Sequence, residues 1–206
     1  MTDYVLVGGG AFGRELHDWF APGLAEQGGR FAGYIDDNDQ PMAAYGRDLP
    51  QLGPINGAKI DPAWRLVMAI GDPAGKAAVA ATLGVDAFET LVHPTAWVSA
   101  SARLGRGCVI GPFADVSADA RAGVLVGLNA YASIGHDAEV GDYATLSGYV
   151  DLTGGVKVGS KAFIGSGARV LPGISVGDGC VIGAGAVIVR NAPAGSTYYA
   201  APARRL

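Results

Sequence analysis

The 206-residue chain has little of several things, and each scarcity excludes a class of protein. Two cysteines, Cys108 and Cys180, are too few for a disulfide scaffold. No apolar run is long enough to span a membrane. The opening MTDYVLVGGG lacks a basic stretch and carries Asp3, so no secretory signal is read and a cytoplasmic location is expected. With 17% charged residues and a net charge of -4 there is no basic footprint for nucleic acid or an acidic membrane. Histidine occurs only at positions 17, 93 and 136. Glycine, by contrast, supplies 33 residues without a Gly-X-Y period, which excludes collagen and calls for another reason for so many missing side chains.

The second half supplies that reason. Stepping by six from Val92 to Ala194 meets an aliphatic residue every time, and the position two before each, from Ala96 on, is also hydrophobic, most often Ala. Composition alone predicts about half of these positions to be hydrophobic, so the unbroken series is a pattern of the fold. A period of six with one large and one small inward residue is the signature of a parallel β-helix, three short strands to a triangular coil. Five to six coils at about 4.8 Å make a prism roughly 25–30 Å long. The residue after the large aliphatic one is glycine in most coils, Gly105, Gly111 and Gly135 among them, and tight turns of positive φ are expected there. Terminal coils need caps, which residues 1–91 and the tail TYYAAPARRL are expected to supply.

Residues 1–91 follow another grammar. YVLV (4–7), FAGYIDD (31–37) and RLVMAIGD (65–72) read as strands, and RELHDWF and PAGKAAVAATLG as helices, with residues 38–62 mostly loop. Strand and helix in alternation predict a small parallel α/β domain of Rossmann-like type, with the boundary near Leu91: an N-terminal domain over 1–91 and a β-helix over 92–206.

Three constellations bear chemistry. Gly8, Gly10 and Gly13 in GGGAFG have the spacing of a phosphate cradle between a strand and a helix, and Asp36 follows at the end of the second strand. The same glycines also read as a packing turn, and Asp36 and Asp37 as a solvated strand end. About 90 residues make half a dinucleotide platform, which favours a mononucleotide over NAD. His136 falls two places after inward Ile134, so it projects from the prism beside Asp137, where imidazole suits a general base. His17 and His93 read as structural, and two histidines in the prism do not make a three-histidine zinc site, so no metal is expected. Lys157, Lys161, Arg169, Arg190, Arg204 and Arg205 read either as solvated charge or as contacts for the phosphates of an acyl carrier.

GGGAFGREL, YIDDN, IGDPAGK, HPTAWVSASARLGRG, SIGHDAEVGDYATLS and VLPGISVGDGCVIGAGAVIVRNAPAGSTYYAAPARRL, in that order, resemble the sialic-acid O-acetyltransferase and nucleotide-amino-sugar N-acetyltransferase family of bacterial glycan biosynthesis. The resemblance implies a homotrimer of left-handed β-helices that transfers acetyl from acetyl-CoA in a cleft between subunits. It implies His136 as general base with Asp137 as its partner, and Gly10, Ala11, Phe12, Asp36, Asp37 and Gly53 around the nucleotide-linked amino-sugar. Asn129 matches an asparagine that precedes the His-Asp pair, and Thr145, Gly154 and Ala184 match coenzyme contacts. Phe12 and Thr145 stand where many relatives carry histidine, and Gly135 where a glutamate is frequent. The leading expectation is N-acetylation of a nucleotide-linked amino-sugar; sugar O-acetylation, a non-catalytic nucleotide-sugar scaffold and a nicotinamide oxidoreductase are the alternatives.

Overall fold

The computed structural model describes residues 1–39 and 42–202. The chain starts with β1 (Thr2–Val7), α1 (Ala11–Glu26) and β2 (Gly29–Ile35), continues through β3 (Gln51–Gly53) and β4 (Arg65–Met68), and enters α2 (Pro73–Leu83). The four strands form a parallel sheet in the order β3-β2-β1-β4. Val5, Leu6 and Val7 are fully buried because helices cover both faces: Leu6 packs with Leu16, Phe20 and Leu24 of α1, while Val5 and Val7 pack with Ala80 of α2. Pro73 opens α2, and Asp72 caps it by accepting a bond from the Gly75 N–H at 2.6 Å.

The Rossmann-like expectation is corrected here. Two α-helices and a four-stranded sheet, with the short β3 at its edge, fall well short of that fold's two βαβαβ halves, and the chain goes from α2 straight into the repeat. Strand, glycine loop and helix are local signals. They specify one βαβ crossover and say nothing about how many follow. The stretch 38–62, read as loop, contains β3.

From Leu91 onward every strand is a two-residue piece, and each pairs in parallel with the strand one full coil further along the chain. They form three sheets, the faces of a left-handed prism. The first face runs from Leu91–Val92 through Val109–Ile110, Gly127–Leu128 and Thr145–Leu146 to Thr197–Tyr198. The second includes Trp97–Val98, Ser133–Ile134, Asp151–Leu152 and Arg169–Val170. The third includes Arg103–Leu104, Arg121–Ala122, Glu139–Val140 and Lys157–Val158. The six-residue series forms the core, with Cys108, Ile134, Ala138, Leu146 and Ile182 all fully buried. At the ends the series loses its cover: Val92 is 41% exposed and Ala194 is exposed too. The tail adds Thr197–Tyr198 to the first face, and Arg204 and Arg205 lie outside the described residues. Residues 1–90 dock along the side of the prism, where Leu91 and Val109 join the α1 layer and Leu125 and Tyr143 join the α2 layer.

The glycines of the repeat work differently from the expectation. Positive φ falls two residues later, at Phe113, Asp119, Leu125, Tyr131, Asp137, Tyr143, Tyr149 and Lys161 and at Gly155, Gly167 and Gly173. At Gly141 and Gly135 the glycine after the aliphatic residue is explained by crowding: a Cβ on Gly141 would lie 2.5 Å from the Ser160 nitrogen, and one on Gly135 2.7 Å from the Leu152 oxygen. Asn129 and Ser147 make the equivalent inter-coil bonds at 2.9 and 2.8 Å with side chains in place, so the crowding is local to such glycines.

Candidate active site

His136 and Asp137 are the two turn residues at the corner between the second and third faces. Asp137 has φ 58°, a conformation that aspartate tolerates better than most residues, and this bend turns its carboxylate back to the ring. Asp137 Oδ2 lies 2.8 Å from His136 Nδ1, and the two side chains are 70% and 68% exposed. With Nδ1–H donated to the carboxylate, Nε2 carries the free lone pair. The ring lies over Gly154 in the next coil, where a Cβ would collide with Nε2 and Cε1. Gly154 thus makes room for the imidazole. Gly155 N–H bonds to the His136 carbonyl at 2.8 Å and fixes the two turns together.

In the GGGAFG loop two of three motif glycines are explained by packing: at Gly8, φ +112° and the Ala69 oxygen 2.9 Å from a built Cβ, and at Gly13, collision with the Gly8 carbonyl. Gly10 is different. It precedes the first turn of α1, has nothing within 4 Å of a built Cβ, and is exposed with Ala11. Asp36 is buried. Its Oδ2 accepts from Gly9 N–H at 2.7 Å and its Oδ1 from Asn38 N–H and Nδ2 at 2.8 Å each, so it ties β2 to the glycine loop. Asp37 accepts from the N–H groups of Ile55 and Asn56 and from Asn56 Nδ2. Asp36 is thus no solvated strand end, whereas Asp37 is exposed but held by these bonds. Both border, with Asp39, Leu52 and Gly53, one open depression. Phe12 points the other way and packs against Trp19, near Val109 and Thr145 of the first face.

Other expected residues are dispersed. Thr145 is buried on the first face, opposite the His136 corner, and its Oγ1 donates to the Gly71 carbonyl at 2.7 Å. Asn129, half-buried, and Ala184, exposed, lie at the corner between the first and second faces. Only Gly154 of the coenzyme set touches His136 within one chain. His17 contacts Asp18 and Phe31, and His93 bonds Thr95 and meets the edge of Phe20. Burial holds the His93 imidazole below its usual range.

Two features escaped the sequence reading. Lys76 of α2 is buried, and its Nζ donates to the carbonyls of Leu125 at 3.0 Å and Ala144 at 2.8 Å, tying α2 to the prism; burial brings its pKa down to about 7. The signal was a single charge in an alanine-rich helix, which reads as solvent-facing. The second feature is a column of stacked rings, Phe113, Tyr131 and Tyr149, whose signal was an aromatic residue recurring at the same place in successive coils. Cys108 and Cys180 are buried thiols, and burial pushes Cys108 up to about 11. No helix among the described residues is long and apolar enough to cross a membrane.

Residues 155–190 match the family described as bacterial transferase hexapeptide (six repeats). No curated protein matches the chain significantly. Among solved structures it is similar over 100% of its length, and 99% of theirs, to the acetyltransferase domain of PglB from Neisseria gonorrhoeae in complex with acetyl coenzyme A, with 26% identity and a TM-score of 0.84. A mutant of perosamine N-acetyltransferase from Caulobacter crescentus, in complex with CoA and GDP-perosamine, aligns over 98% of this chain and 95% of that one, with 29% identity and a TM-score of 0.83. WeeI from Acinetobacter baumannii, 22% identical with both chains fully covered, has the same fold at a TM-score of 0.80.

Proposed function

We propose that this protein is an acetyl-CoA-dependent N-acetyltransferase acting on a nucleotide-linked amino-sugar in glycan biosynthesis. The observation that carries the reading is the exposed His136–Asp137 pair held over Gly154. His136 Nε2 takes the proton of the amine as its nitrogen attacks the thioester carbonyl. Collapse of the tetrahedral species breaks the carbon–sulfur bond, and the proton held by His136 passes to the departing coenzyme thiolate. Asp137 fixes the tautomer and stabilises the imidazolium. Similarity to acetyltransferases crystallised with acetyl-CoA, CoA and GDP-perosamine supports both substrates.

The nucleotide part of the sugar is assigned to residues 1–91, with Gly10 and Ala11 at the N-terminus of α1 and Gly53, Asp36 and Asp37 around the depression. This half docks on the first face, while His136 occupies the opposite corner, a geometry that favours a homotrimer in which one protomer offers its sugar to its neighbour's His136. Asn129 and Ala184 then line the sugar-offering protomer's side of the cleft, facing the neighbour's His136, and Thr145 supports that side from beneath through Gly71.

The test is to incubate the protein with acetyl-CoA and a panel of GDP-, UDP- and dTDP-linked amino-sugars while following thiol release. Release with one of them is expected; release only with hydroxyl acceptors would overturn N-acetylation. Mixing His136→Ala subunits with Asp36→Ala/Asp37→Ala subunits should restore part of the activity, because some mixed clefts join an intact base to an intact cradle. No recovery in verified mixed trimers would place both parts in one chain.

A further inference from the structure

At the corner between the first and second faces, the turn residues of three successive coils are aromatic. Phe113 and Tyr131 stack at 5.0 Å and 16°, Tyr131 and Tyr149 at 4.8 Å and 5°. All three have φ near +60°, which is unfavourable for bulky side chains and free for glycine. The next two coils turn the same corner with Gly167 and Gly185, so rings are not needed to make the turn.

The column has one closed end and one open end. Below, Thr95 Oγ1 bonds the Phe113 N–H at 3.0 Å and seals the first turn. Above, Gly167 N–H bonds the Gly148 carbonyl at 2.9 Å, which sets Gly167 directly over the turn that carries Tyr149. A Cβ built on Gly167 or Gly185 meets nothing within 4 Å, and Tyr149 is 64% exposed. A flat ring face therefore looks into space where a fourth ring would continue the column. Two residues past Gly167, at the start of the adjoining second-face strand, Arg169 makes no ion pair or side-chain hydrogen bond among the described residues, and Asp151 beneath it is engaged by Ser133.

The geometry points to Tyr149 as the stacking platform for the adenine of acetyl-CoA, with Arg169 beside it for a coenzyme phosphate. The inference rests on the acetyltransferase reading above, which gives the other nucleotide to residues 1–91 and leaves adenine as the planar group still unplaced. Stacking is a ring-on-ring contact, so phenylalanine serves as well as tyrosine and a residue without a ring does not.

Tyr149→Gly keeps the turn, because glycine adopts positive φ freely. It should raise KM for acetyl-CoA about tenfold, as loss of one base stack predicts, with kcat within about twofold. Tyr149→Phe should stay within about twofold of the unaltered protein, since the stack survives. KM for S-acetylpantetheine, which has no adenine, should be the same in all three. An equal loss with both acetyl donors, or a shift confined to KM of the nucleotide-linked sugar, would overturn the assignment. Fluorescence of 1,N6-etheno-CoA reads the platform without turnover: quenching on binding that Tyr149→Gly abolishes supports it, and binding without quenching refutes it. Quenching with no acetylation of any sugar would remove the sugar reading and leave the platform standing.

Discussion

The two halves of the chain share parallel β pairing but spend their polar residues in opposite ways. In residues 1–90 the chemically suggestive groups are engaged by the chain's own backbone: buried Asp36 holds the glycine loop, exposed Asp72 caps a helix and buried Lys76 bonds carbonyls of the prism. In the repeat, the inside of the prism holds apolar residues and thiols, Thr145 is covered by the docked half, and His136 and Asp137 stand on a corner with their backbones fixed by the ladder. An irregular fold needs polar side chains to satisfy its loops. A coil that satisfies its own backbone leaves its corner side chains free for ligands.

The sharpest test of that contrast is His136→Ala. Turnover should fall by about two to four orders of magnitude, as for loss of a general base, while the denaturation midpoint stays put. Asp137→Asn should cost less, because asparagine keeps the left-handed turn. A midpoint that dropped along with activity would mean that the corner also supports the coil.

Next in size are the glycines. Gly141→Ala forces a Cβ onto the Ser160 nitrogen and should destabilise by about 1–3 kcal/mol in urea titrations. Gly167→Ala, with open space but φ +69°, should cost about 1 kcal/mol. Equal losses would make conformation rather than crowding the common cause.

Asp36→Ala should lower stability by about 1–3 kcal/mol because it strands the Gly9 N–H, and it should raise KM for the sugar with little change for acetyl-CoA. Urea titration and kinetics on one preparation separate the two effects. Unchanged stability would detach Asp36 from the loop.

The smallest effect is a slope. Burial brings Lys76 to about 7 in the folded protein from 10.5 in a free side chain, so between those values the unfolded chain binds more protons and stability rises with pH. Each unit between about pH 7 and 9 should add up to about 1 kcal/mol, with a plateau below about pH 7. Lys76→Met should flatten the curve; an unaltered slope in that variant would assign it to another group.

Where the sequence carried a long-range period, it could be read. Ile134 and Ala138 lie inward as the period of six requires, and His136, between them at a corner, lies outward. The left-handed turn positions could not be read that way, since a period of six does not say which of its two turn residues bends. β3 is short and carries no pattern, and its pairing with β2 depends on a distant partner. The glycine loop is legible as a local motif, which specifies one crossover and carries no sign of how many follow. Lys76 and the ring column depend on contacts between parts of the chain that lie one or more coils apart in sequence.

The pairing of each strand with the one a full coil away also makes the prism a ruler. Insert one whole coil before His136 and the histidine keeps its corner but climbs by about 4.8 Å relative to the docked N-terminal half. Insert a single hexad and it moves to a different corner altogether. The distance from the docked half to His136 is therefore adjustable in whole coils, without any change to the turn that joins His136 to Asp137.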